Sequence, residues 1–217
     1  MHIMDGLLSP LWVAVWFAIA IPFLIVGVAK IARRRREDPT YMSMLAFMGV
    51  VIFILSVWHI PVPVTGSCSH PCGVALSAII VGPFESVVLA FIALFFQMFL
   101  AHGGLTTLGA NTVSLGVVGG FIGYGVYVAL RRFKAPIWLS AGAAGFMGDI
   151  ATYLTTAGQL ALSLYSENFV YHWGLLSLGF MPTQLPLAIV ESIITAIMVK
   201  YIVVSRPEVL RGVKRLG

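Results

Sequence analysis

A histidine at the second position can place three nitrogens on one metal ion, and this chain begins Met1-His2. They are the α-amine of Met1, the backbone nitrogen of His2 once the metal displaces its proton, and the His2 imidazole. The amine and backbone nitrogen close a five-membered chelate ring, and the imidazole closes a six-membered one. His70, in Ser67-Cys68-Ser69-His70-Pro71, offers a fourth nitrogen from elsewhere in the fold. Imidazole suits zinc, copper, iron and nickel, and a planar set of nitrogens points to copper(II) or nickel(II). The chemistry requires that Met1 be retained and unacylated, and retention is expected because excision normally needs a small second residue. The competing view is that a second residue simply frays.

Cys68 and Cys72 bracket His70. A thiolate site for zinc or copper(I) would use such S and N donors, though it lacks a second cysteine pair. A disulfide suits an oxidising compartment, although a four-residue spacing is tight for one. We read both cysteines as small loop residues. Two acids, Asp149 and Glu191, interrupt apolar runs and are functional candidates by default, for protons or a cation in a secondary transporter. The plain alternative is a hydrogen bond to a neighbouring helix. Asp5 is expected to receive the outer N–H of a liganding imidazole, and Thr106 and Asn111 to orient one. For Asn111 a helix cap is an equal alternative. Ser67, Ser69 and His102 complete the candidates around the metal.

These residues are carried by an integral membrane protein. Hydrophobic residues make up 59% of the chain and charged ones 10%, with a mean hydropathy of +0.99. Apolar runs recur at 11–29, 41–58, 74–101, 111–130, 136–160 and 185–204, each near or above the roughly 20 residues of a membrane-crossing helix. We expect one polytopic membrane domain over 1–217, with a metal-binding N-terminal segment at 1–10 and site loops at 60–73 and 101–111. All 13 Lys and Arg fall in Lys30 to Arg36, Arg131 to Lys134 and Lys200 to Arg215. Each run abuts an apolar span, so positive-inside logic places them in the cytoplasm and assigns the net charge of +5 to topology, with no nucleic-acid partner. The N-terminus is then extracytoplasmic, the C-terminus cytoplasmic, and no basic stretch suggests a cleaved signal peptide.

Parity requires a further crossing. Residues 74–101 must enter and return, and Gly82-Pro83 supplies the break. The expectation is an all-α fold of about seven transmembrane helices, with a short one at about 72–82 and another at 84–101. His2, His59, His70, His102 and His172 all fall at the extracytoplasmic side, opposite the cations, and histidine is the commonest metal-ligating side chain. Residues 60–73, rich in proline, glycine and small hydroxyls, read as a re-entrant or surface loop.

Three motifs together resemble the CbiM/NikM family, the substrate-binding membrane subunits of energy-coupling-factor transporters for cobalt and nickel. They are Met1-His2-Ile3-Met4-Asp5-Gly6-Leu7-Leu8-Ser9-Pro10, Thr65-Gly66-Ser67-Cys68-Ser69-His70-Pro71, and Ala101-His102-Gly103-Gly104-Leu105-Thr106-Thr107-Leu108-Gly109-Ala110-Asn111. The resemblance implies a buried N-terminus, Met1, His2 and His70 as metal ligands, and Co2+ or Ni2+ as cargo with no permanent cofactor. It implies a transmembrane coupling subunit, a cytoplasmic ATPase dimer and, in the cobalt branch, a small accessory membrane subunit. It implies the bacterial plasma (inner) membrane as the location and cobalamin synthesis as the destination of the metal. The second and third motifs look more like the cobalt branch, whereas a planar nitrogen set favours nickel; Cys72 stands where a small hydroxyl residue is expected. No His-Glu-x-x-His pattern and no Walker-type loop occurs, so we expect no enzyme and no ATP hydrolysis by this chain. A proton-coupled transporter using Asp149 and Glu191 would show two broken helices in matching positions, and Gly82-Pro83 is the single clear break.

Overall fold

The computed structural model describes residues 2–38, 40–58, 60–62, 65 and 67–205. Among them, seven helices account for most of the chain: α1 (Pro10–Glu37), α2 (Tyr41–Ser56), α3 (Val74–Val81), α4 (Pro83–Gln97), α5 (Leu108–Arg132), α6 (Ile137–Leu164) and α7 (Phe169–Ser205). Four segments, at Pro10–Glu37, Pro83–Leu100, Leu108–Arg132 and Ser166–Ser205, are long and apolar enough to cross a membrane. The distribution of polarity is that of a membrane protein. Ile25, Phe47, Ile54, Ile122, Leu178, Ile193 and Ile197 are exposed around the outside, while Ser77, Gln97, Thr112, Asp149, Thr156, Gln184 and Glu191 are buried inside. Apolar side chains facing outward are stable only in hydrocarbon, and buried polar ones need partners within the bundle. The chain is a multi-pass membrane protein.

The expected break is present. Gly82 takes φ of +114°, a conformation that L side chains rarely adopt, and Pro83 opens α4 where its missing N–H costs nothing. The result is a short α3 with all eight residues buried, packed on α4, α5 and α6 at the centre of the molecule. Close approach depends on small residues. A Cβ on Gly119 of α5 would lie 2.2 Å from Thr152 Oγ1 of α6, and one on Gly148 would lie 2.8 Å from Gly119 O. Without a hydrophobic driving force inside lipid, this backbone proximity is what holds helices together.

Two spans differ from the sequence expectation. The first helix continues to Glu37 instead of ending near residue 29, because the basic run Arg33 to Arg36 still has helix-forming side chains that reach water from the last turns. The last helix begins at Phe169, not near 185, and passes through Pro182 and Pro186. Proline is tolerated in a membrane helix where neighbouring groups re-satisfy freed carbonyls, and Thr183 Oγ1 donates to Phe180 O at 3.1 Å in this stretch. Residues 60–73 are more ordered than a loop. Ile60–Val62 and Ser67–Ser69 form an antiparallel ribbon with Pro61 opposite Cys68, followed by a buried non-helical run to Gly73.

The chain's ends of charge are separated along the helices. The start of α1, the end of α2, the start of α5 and the end of α6 meet at one end. The described cations of α1 and α5 lie at the other, where Arg34 donates to Val81 O at 2.5 Å and sits 3.4 Å from buried Glu85. Tyr41 Oη also donates to Val81 O, so α1, α2, α3 and α4 are tied together at this basic end.

Candidate metal centre

Residues 2–9 tuck into the end of the bundle opposite those cations. Ile3 is fully buried and anchors the segment as an apolar plug. Its backbone is gripped from α5: Ile3 N–H donates to Asn111 Oδ1 at 3.0 Å, while Asn111 Nδ2 (3.3 Å) and Thr107 Oγ1 (2.6 Å) donate to Ile3 O. Ser67 Oγ donates to His2 O at 3.0 Å, and Ser163 Oγ of α6 donates to Leu7 O at 3.2 Å. Farther out, Asp5 Oδ1 accepts from Thr106 N (3.0 Å) and Oγ1 (2.5 Å). Gly104 is required beside it, since a Cβ there would sit 1.9 Å from the Asp5 carboxyl carbon.

The His2 ring is oriented by a relay of donors. Ser56 Oγ donates to Ile52 O at 2.5 Å and so accepts from Gln97 Nε2 at 2.7 Å; the same amide donates to Phe53 O at 3.1 Å. That fixes the Gln97 carbonyl toward His2, whose Nε2 lies 2.7 Å from Gln97 Oε1. A carbonyl only accepts, so a proton sits on His2 Nε2, and in the neutral ring Nδ1 is then the nitrogen with the free lone pair. Nδ1 lies 3.3 Å from Cys68 Sγ. It is also the nitrogen that closes a six-membered ring with the backbone nitrogen of its own residue.

His70 is prepared in the same way from different partners. Its backbone N–H donates to Tyr153 Oη of α6 at 2.8 Å, and Tyr153 lies within reach of His70 O (3.1 Å) and Cys68 O (3.4 Å). His70 Nδ1–H donates to Pro71 O at 2.9 Å, which leaves Nε2 with a lone pair, buried and with no hydrogen-bond partner. Burial drives the imidazole well below its ordinary value of 6.5, so it is neutral at neutral pH, the form that ligates metal. The His2 and His70 rings lie 4.6 Å apart between centroids. Donor atoms of His2, Cys68 and His70, all buried, lie within 4.8 Å of one another. Chemically this is a buried pocket of imidazole nitrogens and one sulfur, suited to a borderline divalent transition metal.

Several sequence expectations change here. Asp5 does not receive an imidazole proton; it is spent on Thr106, and Gln97 takes that role for His2. Asn111 neither caps its helix nor touches a ring; it holds Ile3. Ser69 Oγ pairs with Thr183 Oγ1 at 2.8 Å, joining the ribbon to α7. His102 lies with its ring 5.5 Å from His2 and its Nδ1 on Leu100 O at 2.8 Å. His172 is apart from the centre, stacked on Tyr165 at 4.0 Å. Cys68 and Cys72 are both buried and form no disulfide, and Cys68 stands within the centre and not merely in a loop. Asp149 and Glu191 come together with Cys72 in a separate buried group. Met1 and His59 lie outside the described residues. Gln97 and Tyr153 were missed, because one amide or phenol in an apolar run gives no periodic signal of its partner.

Comparison with known proteins agrees with this picture. A crystal structure of a transition metal transporter superposes with a TM-score of 0.84 at 29% identity, over 93% of this chain and 92% of that one. A cobalt transport protein CbiM of Sorangium cellulosum is 41% identical over 97% of this chain and 94% of its own length. The CbiM of Geobacter sulfurreducens is 45% identical over 97% of this chain, which spans 61% of that relative's length. The family model described as "Cobalt uptake substrate-specific transmembrane region" matches residues 2–209, nearly everything that builds and frames the centre, and the chain belongs to this family, CbiM.

Proposed function

We propose that the chain is the substrate-binding membrane subunit of an ATP-driven energy-coupling-factor importer that takes up Co2+ for cobalamin synthesis. In this reading the N-terminus and the histidine centre face the extracytoplasmic side and the basic end faces the cytoplasm. The Met1 amine and the His2 backbone nitrogen complete the chelate with His2 Nδ1, and His70 Nε2 provides the fourth nitrogen. The observation that carries the reading is the buried, unpartnered Nε2 of His70 beside a His2 whose tautomer is set by Gln97. An orphaned buried acceptor costs about 1–3 kcal/mol, a cost that a bound cation removes.

ATP is hydrolysed by a separate cytoplasmic ATPase dimer, and a transmembrane coupling subunit and a small accessory membrane subunit complete the machine. The sequences around His70 and His102, and the names of the CbiM relatives, favour cobalt over nickel. The test is Co2+ and Ni2+ uptake by cells that carry the partner subunits, normalised to membrane protein level. Adding one residue before Met1 moves the amine out of the chelate ring, and uptake should be lost as completely as in His2→Ala or His70→Ala. His172→Ala should retain it. Full uptake by an extended, uncleaved protein would remove the amine from the ligand set.

A further inference from the structure

One turn farther along α6 from Tyr153, toward the basic end, lies Asp149, about 6 Å along the axis from the residue that holds His70. Asp149 and Glu191 of α7 are fully buried, and their carboxylate oxygens lie with Cys72 Sγ within 4.8 Å of one another. The ion pairs among the described residues, Arg33 with Glu37 and Arg34 with Glu85, do not reach them. Glu191 is held in place by two backbone donors, Cys72 N–H and Gly73 N–H, the latter at 2.8 Å. Gln184, two turns before Glu191 on the same face of α7 and fully buried, donates through Nε2 to Asp149 Oδ2. The carbonyl oxygen of that amide and the other oxygen of Asp149 are buried acceptors with no partner. Two buried carboxyl groups beside an unpartnered amide carbonyl are stabilised when a cation or a proton is held among them.

We propose that Cys72, Asp149, Gln184 and Glu191 form a second, inner station for a divalent transition metal, through which the cargo passes after leaving the histidine centre. The proposal rests on the reading of the chain as the metal-binding subunit of an importer. The donor set selects the ion class. A sulfur beside two carboxylates suits a borderline ion such as Co2+, whereas magnesium and calcium take oxygen alone. Continuity with the outer centre is covalent, since His70 and Cys72 are separated by Pro71 alone and are at most about 7 Å apart along the chain. The same short segment thus presents a ligand to each station. Glu191, by holding the amides of Cys72 and Gly73, also fixes the backbone that directly follows His70 and Pro71.

The probe is Co2+ alone, titrated into the purified full chain by equilibrium dialysis with near-ultraviolet absorption recorded in parallel. The expected result is two equivalents of Co2+ and a sulfur-to-cobalt charge-transfer band that, with Cys68 of the outer centre already changed to Ser, disappears in Cys72→Ser. Asp149→Asn and Glu191→Gln should each leave one equivalent, and His70→Ala should remove the other. Uptake by the assembled transporter should fall at least tenfold in Asp149→Asn, although the remaining equivalent binds as tightly as before. One equivalent in the unmodified chain, lost in His70→Ala and unchanged in Asp149→Asn, would overturn the inner station and leave the outer centre standing; the two acids would then share only a proton. A charge-transfer band present in Cys68→Ser that survives the added Cys72→Ser would overturn it as well, and that result needs no variant of the acids to fold. No binding at all by the unmodified chain would refute the importer reading and the station with it.

Discussion

The tautomer of His2 depends on a glutamine 95 residues away in sequence. In Gln97→Leu the imidazole loses the acceptor that keeps its proton on Nε2, and Nδ1 is no longer held ready for metal. Removing such an orienting partner typically costs about 10–100-fold in affinity. We expect that loss in a Co2+ titration of the full chain, with normal membrane insertion. Unchanged affinity would show that the ring is aimed by packing alone. That His2 and His70 belong together was legible in the sequence, because position 2 and the His70 motif are chemical signals in themselves, and the two rings do meet. Gln97, Tyr153 and Ser56 were not, since their roles depend on which carbonyl or hydroxyl lies across the bundle. Asp5 misled for the same reason: an acid beside a ligand in sequence has its carboxylate directed to Thr106 in space.

Among the elements, α5 has the clearest structural task. Thr107 just before it and Asn111 in its first turn grip Ile3, and the next eight residues, Thr112–Gly119, run in wider π turns against α4 and α6. Single π insertions are frequent at functional sites. Asn111→Leu removes the acceptor for Ile3 N–H and buries it unsatisfied, a cost of about 1–3 kcal/mol. Because that cost falls on the docking of residues 2–9 and not on the helices, Co2+ affinity should drop roughly 5- to 100-fold while thermal unfolding of the bundle moves little. A matching fall in both would instead mean that Asn111 supports the helix. The break at Gly82-Pro83 was readable from sequence because both residues interrupt a helix for independent reasons. The early start of α7 was not, since Pro182 and Pro186 look like punctuation unless the surrounding helices are known.

At the scale of the molecule, α1 is the least enclosed helix, with only Ala20 and Gly27 buried along its length. Ala14 and Ala18, one turn apart, are exposed, as are Ala46 and Val50 on α2. Small residues on an outer helix face allow another helix to approach closely. If the coupling subunit docks on the α1 face, Ala14→Leu with Ala18→Leu should abolish co-purification with that subunit and leave Co2+ binding intact. If Ala46→Leu with Val50→Leu has this effect instead, the docking face is α2. The chain alone should hydrolyse no ATP, and turnover by the purified subunit would refute its place in a multi-subunit machine.

The plug formed by residues 2–9 also sets a timetable for biogenesis. Its partners Ser67, Gln97, Asn111 and Ser163 lie 65, 95, 108 and 156 residues farther along the chain than the groups they hold. At about 5–20 residues per second of synthesis, the ribosome needs on the order of ten seconds or more to reach Ser163. Until then the docking site of residues 2–9 is incomplete. Residues 2–9 are therefore among the last to acquire their native surroundings, and a nascent chain released before Ser163 would carry His2 on a loose end.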